Sequence, residues 1–299
     1  MPESRPVPRD AVLIINARSR KGRDLFRRAV SRLRAAGITL TAAHAVRDPR
    51  KLIPTVKEAV RSGAPMVIVG GGDGSLSCAV DELVDRDCVF ALLPLGTANS
   101  FARTLGIPLD LDGAIDTIVN GRRRRVDLGV VDGDYYANSA AIGLSPLIGA
   151  TVPHGLKRRL GRVGYLIWAI WSIYRFKPFQ LVIETEDGER HEMAALEVRI
   201  ANGAYHGGVE VVDAAEVDSG EIVVQAVTGR IKHRLIRNWL AVLVGHRRWK
   251  RETVTDFHAR KLKLTTDPPL PISIDGEVLG RTPATVEVAE SAIEVVVPA

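Results

Sequence analysis

The sequence contains few cysteines and no long hydrophobic run, and both absences exclude classes of protein. Cys78 and Cys88 are the only cysteines among 299 residues, which excludes a disulfide framework and favours a reducing compartment. No stretch approaches the ~20 apolar residues that a transmembrane helix needs. The first ten residues, MPESRPVPRD, lack the apolar segment of a signal peptide. We therefore expect a soluble globular protein of the cytoplasm.

The sequence also lacks a zinc pattern and an excess of acidic residues. Its seven histidines are dispersed and, taken with the two cysteines, show no zinc-ligand spacing. The net charge of +6 favours an anionic partner, such as a nucleotide, a nucleic acid or an acidic membrane surface. Because the arginines are scattered and no aromatic strand platform accompanies them, we expect no nucleic-acid partner.

The glycine run at residues 70–75, GGGDGS, is the most informative segment of the chain. It follows a strand-like apolar stretch at 66–69 and opens a helical pattern that starts at Leu76. Consecutive glycines in this position present backbone N–H groups at the positive end of a helix dipole, an arrangement that suits phosphate. The spacing is neither that of a P-loop nor that of a dinucleotide fold. Asp73 lies within the turn, and a carboxylate beside a phosphate indicates an intervening cation. The run predicts a metal–nucleotide site, the alternative being a simple tight turn.

The first 120 residues or so alternate strand and helix patterns, which predicts an α/β domain with a parallel sheet and flanking helices. The predicted strands are 11–15, 38–45, 66–69 and 89–93, and the predicted helices are 24–36, 51–61 and 76–84. Ligands of such sheets bind at the carboxyl ends of the strands. Asn16, the glycine run and residues 94–97 all follow strand ends, so we expect them to converge on one rim.

From residue 125 the pattern changes to many short strands separated by turns, which predicts a mainly antiparallel β-sandwich. The predicted strands are 126–131, 135–142, 181–185, 193–201, 222–227, 261–265, 272–275, 285–288 and 293–297, with helices near 156–174 and 231–244. We therefore divide the chain into domains 1–124 and 125–299, in which the last strand could return to the first domain.

Three further polar segments are candidates for a site. The loop at 16–22 follows the first strand and could line a nucleotide site. In the segment 94–103, Thr97 or Asn99 is predicted to cap a helix, and either side chain could face a phosphate. The third segment, 274–277, places two carboxylates around a glycine after a strand, and its alternative interpretation is a plain hairpin turn.

Taken together, GGGDGS at 70–75, PLGTANSFAR at 94–103 and SIDGE at 273–277 resemble the diacylglycerol kinase/sphingosine kinase-type lipid kinase family, especially its bacterial members. The resemblance covers nearly the whole chain, since KRRLGRVGYL at 157–166 and the later Asn-Gly, Gly-Gly and Asp-Ser-Gly signatures also match. It implies an ATP- and Mg²⁺-dependent kinase with two domains. The first domain would hold ATP on the glycine loop, and the second would present the hydroxyl of diacylglycerol or a related lipid.

The resemblance also assigns roles to individual residues. The positions that correspond to nucleotide-site residues are Asn16, Gly71, Gly72, Asp73, Gly74, Ser75 and Thr97. Asp275 and Glu277 match the element to which the catalytic base is assigned, and either could take the proton, while Asp73 would handle the metal–nucleotide complex. Asp218 corresponds to an aspartate at a structural magnesium site.

Apart from Ser75, which keeps the hydroxyl of the usual threonine, three positions in the motifs depart from the family pattern. Ser77 and Cys78 stand where Asn-Glu is usual, and Ser100 stands where the family has an aspartate. These departures leave open a non-catalytic lipid- or nucleotide-binding regulator. A second alternative is an NAD kinase, which shares the GGDG loop.

A lipid kinase must reach a membrane, and residues 163–174 are a candidate surface because they are nearly uncharged and bracketed by cations. We expect peripheral association with the inner face of an anionic membrane. The alternative is that the aliphatic side of this segment packs against the sandwich. An exposed sandwich strand could also mediate a homodimer.

Overall fold

The computed structural model describes residues 5–18, 20–151, 168, 171–244 and 252–299. Its N-terminal part alternates strands and helices. The elements are β1 (Asp10–Asn16), α1 (Arg20–Ala35), β2 (Thr39–Val46), α2 (Leu52–Arg61), β3 (Met66–Gly71), α3 (Asp73–Val80), β4 (Val89–Pro94), α4 (Ser100–Thr104) and α5 (Leu111–Asn120). The strands pair in parallel in the order β2-β1-β3-β4. The predicted α/β domain is confirmed.

The central strands of this sheet are buried on both faces. Every residue of β3 and of β4 is buried, which requires cover above and below the sheet. Such strands are continuous apolar runs rather than alternating ones, as the sequences MVIVGG and VFALLP are. This rigid centre positions the glycine run, because the run begins where β3 ends.

The C-terminal part is mainly antiparallel, as predicted. Its elements are β5 (Arg122–Val131), β6 (Asp134–Tyr136), β7 (Ser139–Gly143), α6 (Leu144–Thr151), β8 (Phe179–Thr185), β9 (Arg190–Ala201), β10 (Tyr205–His206), β11 (Val209–Glu210), β12 (Ile222–Thr228), α7 (His233–Val244), β13 (Val254–Ala259), β14 (Lys261–Asp267), β15 (Pro271–Ile274), β16 (Glu277–Arg281) and β17 (Ala284–Val297). The strands follow the order β16-β15-β7-β9-β8-β14-β17, and β12 pairs with β9 and β13.

Strand β17 connects the two parts. It pairs antiparallel with β5 and β14, and in parallel with β4 through Glu294 and Val295. One continuous hydrogen-bonded sheet therefore runs through both parts and fixes how they face each other. The predicted boundary at 122–125 falls at the beginning of β5.

Two strand predictions in the C-terminal part are wrong in detail. The segments 285–288 and 293–297 form the single strand β17, whose pairing is irregular between Ala289 and Ile293. Residues 135–142 divide into β6, which makes the expected hairpin with β5, and β7, which pairs with β9 and β15. The break is held by Asn202, whose side-chain amide donates to the carbonyls of Asp127 and Ala137 at 2.9 Å. Strands β13 and β16 were not predicted, because both are largely exposed and lack a clear apolar alternation.

Most of the predicted membrane segment, 163–174, lies outside the described residues. Within it, Trp171 and Tyr174 are exposed and Ser172 is buried. Within the described ranges, no helix combines the length and the apolar character needed to cross a bilayer.

Candidate active site

The glycine run forms a turn from β3 into α3 that leaves backbone donors available. Gly72 is the N-cap of α3, and its carbonyl accepts from the N–H groups of Ser75 and Leu76 at 2.9 and 3.1 Å. The N–H groups at the start of a helix have no partner within the helix, because no turn precedes them. The turn therefore places hydrogen-bond donors and the positive end of α3 at the carboxyl edge of the sheet.

The segment after β4 packs directly on this turn. A Cβ on Gly96 would lie 2.5 Å from the Cα of Gly72, so the two backbones are closer than any side chain permits. The N–H of Leu95 donates to the carbonyl of Gly71 at 2.8 Å. The side chain of Asn99 is buried and braces its own loop, accepting from the N–H of Gly96 at 2.9 Å and donating to the carbonyl of Gly96 at 3.1 Å.

The prediction that Asn99 caps α4 is confirmed for its position and wrong for its side chain. Asn99 occupies the N-cap position in a left-handed conformation, but its side chain makes no capping hydrogen bond. Asp73 takes over this role from the neighbouring loop, because its Oδ1 accepts from the N–H of Ser100. One oxygen of Asp73 is thus committed to joining the two loops. Thr97 is exposed at the rim.

The predicted convergence of strand ends on one rim is confirmed. The Nδ2 of Asn16 donates to the Oγ of Ser75 at 3.1 Å, which joins the end of β1 to α3. A cavity of about 460 Å³ lies between these loops, a volume in the range of small-molecule sites. It is lined by Asn16, Arg18, Gly22, Leu25, Gly71, Gly72 and Leu95. Asn16, Gly71 and Gly72 of the predicted nucleotide-site residues thus face one cavity.

Asp275 lies at the turn between β15 and β16. Both Asp275 and Gly276 have positive φ, 44° and 97°, as the central residues of a type I′ hairpin turn require. The segment is therefore a hairpin turn and also a polar site. The half-buried carboxylate accepts from the hydroxyl of Ser77, and from the N–H groups of Ala137 at 3.0 Å and Ser139 at 3.1 Å.

The contact with Ser77 joins the two domains at the glycine turn. Ser77 lies on α3, two residues beyond Ser75, so Asp275 reaches the first turns of the helix that the glycine run opens. Glu277 is exposed on β16. Of the two carboxylates in this hairpin, Asp275 is the one held by three hydrogen-bond donors.

Burial raises the pKa of Asp275 above its ordinary value, and the donors from Ser77, Ser139 and Ala137 oppose that rise. Asp81 lies nearby, and the residue as a whole is exposed. Partial burial of its carboxyl nevertheless raises its pKa to about 6, and the negative charges of Asp134, Glu82 and Asp275 add to this rise. A carboxylate with a raised pKa is suited to accept a proton.

Two of the positions that depart from the family pattern touch the site. Ser77 bonds Asp275, and Ser100 bonds Asp73 through its backbone while its hydroxyl accepts from the N–H of Gly208 at 3.1 Å. The sequence identified both serines, because they lie within the motifs. It could not identify their hydrogen-bond partners, since Ser77 and Asp275 are 198 positions apart.

A second cavity, of about 290 Å³, has Ser139 in its lining. It is lined mainly by alanine, valine and glycine, together with the polar residues Ser139, Glu197, Arg199 and His206 and the indole of Trp239. Ser139 connects it to the site, because its N–H donates to Asp275 and its hydroxyl hydrogen-bonds His206 at 2.8 Å. Glu197 pairs with Gly143, four residues along β7 from Ser139, so the two ends of the cavity are about 13 Å apart at the rise of a strand.

Asp218 lies apart from these cavities. Its exposed carboxylate forms an ion pair with Arg124. Arg124 of β5 pairs with Val295 of β17, which in turn pairs with Phe90 near the beginning of β4. The glycine turn lies at the other end of β4, beside Pro94. Within the described part of the chain, no three His, Cys, Asp or Glu side chains are grouped to hold a metal. Magnesium binding at Asp218 stays a prediction.

A buried carboxylate lies close by, at Asp127. It accepts from the N–H groups of Ser291 at 2.7 Å and Gly220 at 2.8 Å. The turn that contains Asp218 is therefore held by the side chain of Asp127, through the N–H of Gly220.

Two family models match the chain and together cover most of it. The model of the diacylglycerol kinase catalytic domain matches residues 10–131. The model of the YegS C-terminal NAD kinase beta sandwich-like domain matches residues 139–297. These matches place the glycine turn in the first domain and Asp275 in the second.

Relatives match over nearly the full length. A protein of Yersinia pestis (strain Pestoides F) named "Probable lipid kinase YegS-like" is 30% identical over 297 residues, 96% of each chain. A diacylglycerol kinase of Staphylococcus epidermidis (strain ATCC 12228) is 28% identical over 287 residues, 93% of this chain and 89% of the relative.

Solved structures support the fold. A diacylglycerol kinase from Bacillus anthracis str. Sterne superposes with a TM-score of 0.73 at 22% identity, over 97% of both chains. Yeast NADH kinase is more distant, with a TM-score of 0.55 at 10% identity over 100% of this chain and 88% of that one. At these identities the likeness concerns the fold alone. The two family matches and the full-length relatives show that the chain belongs to the YegS and diacylglycerol kinase-like family of lipid kinases.

Proposed function

We propose that this lipid kinase transfers the γ-phosphoryl group of Mg²⁺-ATP to a hydroxyl of diacylglycerol or a related lipid alcohol. The observation that carries the proposal is the hydrogen bond between Ser77 and Asp275. It places a carboxylate of the second domain on the helix whose N-terminus would hold the phosphates. Phosphoryl transfer depends mainly on positioning and on charge stabilisation, so this juxtaposition supplies what the reaction needs.

The nucleotide is assigned to the cavity lined by Asn16, Gly71 and Gly72. Backbone N–H groups at the start of α3 would bind phosphate oxygens, and Arg18 at the rim would add positive charge. The close approach of Gly72 and Gly96 keeps side chains out of this region, so a phosphate could reach the backbone. Ser75 holds the side chain of Asn16 in place.

Asp275 is the proposed general base. It would accept the proton of the lipid hydroxyl as that oxygen attacks phosphorus, and its raised pKa makes it a better proton acceptor than an ordinary aspartate. The donors from Ser77, Ala137 and Ser139 fix its orientation. Glu277 is exposed on β16, so we assign it no proton transfer.

The residues present fit a magnesium ion held chiefly by the nucleotide. Mg²⁺ usually keeps several waters and needs only one or two carboxylates beside substrate phosphates. Asp73 is the carboxylate closest in sequence to the phosphate-binding turn, and one of its oxygens is bonded to Ser100, so the other would hold the ion. When bound, the metal would neutralise negative charge on the phosphates.

The apolar cavity lined by Ser139 is assigned to the lipid. Its alanine and valine lining suits a hydrocarbon chain, and Ser139 places one end of it at the proposed base. This lining also favours a lipid over the polar ribose of a dinucleotide. An NAD kinase activity is therefore the less favoured alternative.

The test is incubation of the protein with Mg²⁺ and labelled ATP against a panel of lipid alcohols in mixed micelles, with NAD as a further acceptor. We expect label in the organic phase. Asp275→Asn should reduce transfer by at least ~10²-fold while ATP binding is retained, and Glu277→Gln should have little effect. Label on NAD alone would support the alternative kinase. ATP or lipid binding without transfer would support a regulator.

A further inference from the structure

Helix α7, His233–Val244, is apolar on two opposite faces. One face packs inward, where Leu235, Asn238 and Ala241 are buried and Trp239 and Val242 line the apolar cavity. The other face carries Ile236, Leu240 and Val244, which are 42%, 51% and 72% exposed. These three are spaced by four residues, so they form one stripe along the helix. The stripe lies on the side of α7 opposite the cavity.

Further exposed side chains in residues 171–175 lie next to the start of α7. Trp171 and Tyr174 are 45% and 82% exposed, and Ile231 just before the helix is 61% exposed. Lys232 joins them, since its ammonium donates to the carbonyl of Tyr174 and lies 5.9 Å from the centroid of that ring. Of the large hydrophobic side chains that are exposed in the described part of the chain, most belong to this surface. A patch of this kind indicates an interaction site.

The two segments that form the apolar surface carry positive charge only, although Glu252 pairs with Arg237 of α7. The segments 171–177 and 230–244 contain no aspartate or glutamate. Arg175, Lys177, Arg230 and Lys232 border the apolar side chains, and the guanidinium of Arg175 lies 4.9 Å from the ring centroid of Trp171. Apolar and aromatic groups bordered by cations fit the interface of an anionic bilayer, where rings sit among headgroups and cations meet lipid phosphates.

We propose that the outer face of α7 with residues 171–175 and Ile231 is the surface by which the protein docks on an anionic lipid bilayer. The inner face of the same helix lines the apolar cavity, so docking would hold that cavity about one helix diameter from the membrane. The inference adds the docking surface to the proposed function, and it is tested without the kinase reaction.

The test is co-sedimentation of the full chain with vesicles of phosphatidylcholine, alone or mixed with phosphatidylglycerol, in the absence of nucleotide. We expect binding to the mixed vesicles, weakened by added salt because screening reduces the attraction to anionic lipid. The double variant Ile236→Ser, Leu240→Ser should bind about tenfold or more weakly, because each side chain loses its insertion into the apolar region. Leu109→Ser is the matched control, an exposed leucine of the N-terminal domain, and should bind as the unchanged protein does.

The outcomes separate the possibilities. Equal vesicle binding by the double variant and the unchanged protein would overturn the inference. A second result would also overturn it. If sedimentation velocity without lipid shows that the unchanged protein is a dimer and the double variant a monomer, and vesicle binding is the same for both, the stripe is a contact between two copies. If the chain phosphorylates no lipid but its vesicle binding depends on the stripe, the docking inference stands and the proposed function fails.

Discussion

Replacing Ser77 by alanine tests the arrangement on which the proposed mechanism depends. The change removes the hydroxyl that donates to Asp275 across the domain junction. A hydrogen bond to a charged acceptor contributes about 1.5–3 kcal/mol. Because both residues are half-buried, we take the lower end, which corresponds to about a tenfold decrease in kcat/KM for the lipid. The KM for ATP should change little, since the glycine turn is intact.

The variant should also change the pH dependence. The hydroxyl of Ser77 lowers the pKa of Asp275 by stabilising its ionised form, so its removal should raise that pKa further. A base acts only when ionised, hence the acid limb of kcat/KM should move to higher pH in Ser77→Ala. The assay is initial-rate transfer of labelled phosphate to lipid in mixed micelles across a pH series.

Two further variants are controls for this prediction. Ser77→Thr keeps a hydroxyl and should restore much of the rate. Cys78→Ala alters the adjacent exposed residue and should leave both the rate and the pH profile unchanged. An unaltered kcat/KM and acid limb in Ser77→Ala would refute the reasoning, because Asp275 would then not depend on α3 for its position.

Three other changes have defined outcomes. Gly96→Ala should destabilise the fold by about 1–3 kcal/mol in urea titrations, since its Cβ would meet the Cα of Gly72 at 2.5 Å; Gly74→Ala, with nothing within 4 Å, should not destabilise it comparably. The pKa of Asp81 is raised from 3.8 to about 6, so the folded state favours the protonated carboxyl. The resulting contribution to the free energy of unfolding is fully present below pH 3.8 and is lost as the pH rises through about 6. Asp81→Asn should therefore raise the free energy of unfolding at about pH 8 by roughly 1 kcal/mol, reduced by solvent screening from the ~3 kcal/mol of the full shift, with no gain at about pH 3. Asp127→Ala leaves two backbone N–H groups without their acceptor, so the free energy of unfolding, measured by thermal unfolding, should fall by about 2–3 kcal/mol. A decrease below about 0.5 kcal/mol, which is typical of a neutral surface substitution, would contradict the role given to that carboxylate.

Much of the N-terminal architecture was predictable because its signals are local. The runs MVIVGG and VFALLP are apolar throughout and so indicate strands buried on both faces. The rule that parallel strands bring their carboxyl ends to one edge then placed Asn16 beside the glycine turn. The Asn16–Ser75 hydrogen bond bears this out.

The C-terminal strands were less predictable, because their pairing depends on distant partners. Residues 135–142 look like one strand, yet Asn202 bonds the carbonyls on both sides of the β5–β6 hairpin and β7 pairs elsewhere. The exposed strand β16 carries too little apolar alternation to be identified. The N-cap position of α4 was predictable, but the side chain that accepts from the N–H of Ser100 was not, because it belongs to Asp73, 27 positions away.

By itself the sequence determined the α/β domain, the mainly antiparallel second domain and the phosphate-type turn, because periodicity and consecutive glycines act on neighbouring residues. Only the tertiary structure decided which carboxylate of the distal hairpin meets α3. Asp275 and Ser77 are brought together because β17 pairs with strands of both domains. The tertiary structure also decided which apolar face of α7 is exposed. That helix carries apolar residues on both faces, and packing against the sheet buries one of them and leaves the stripe of Ile236 and Leu240 in solvent.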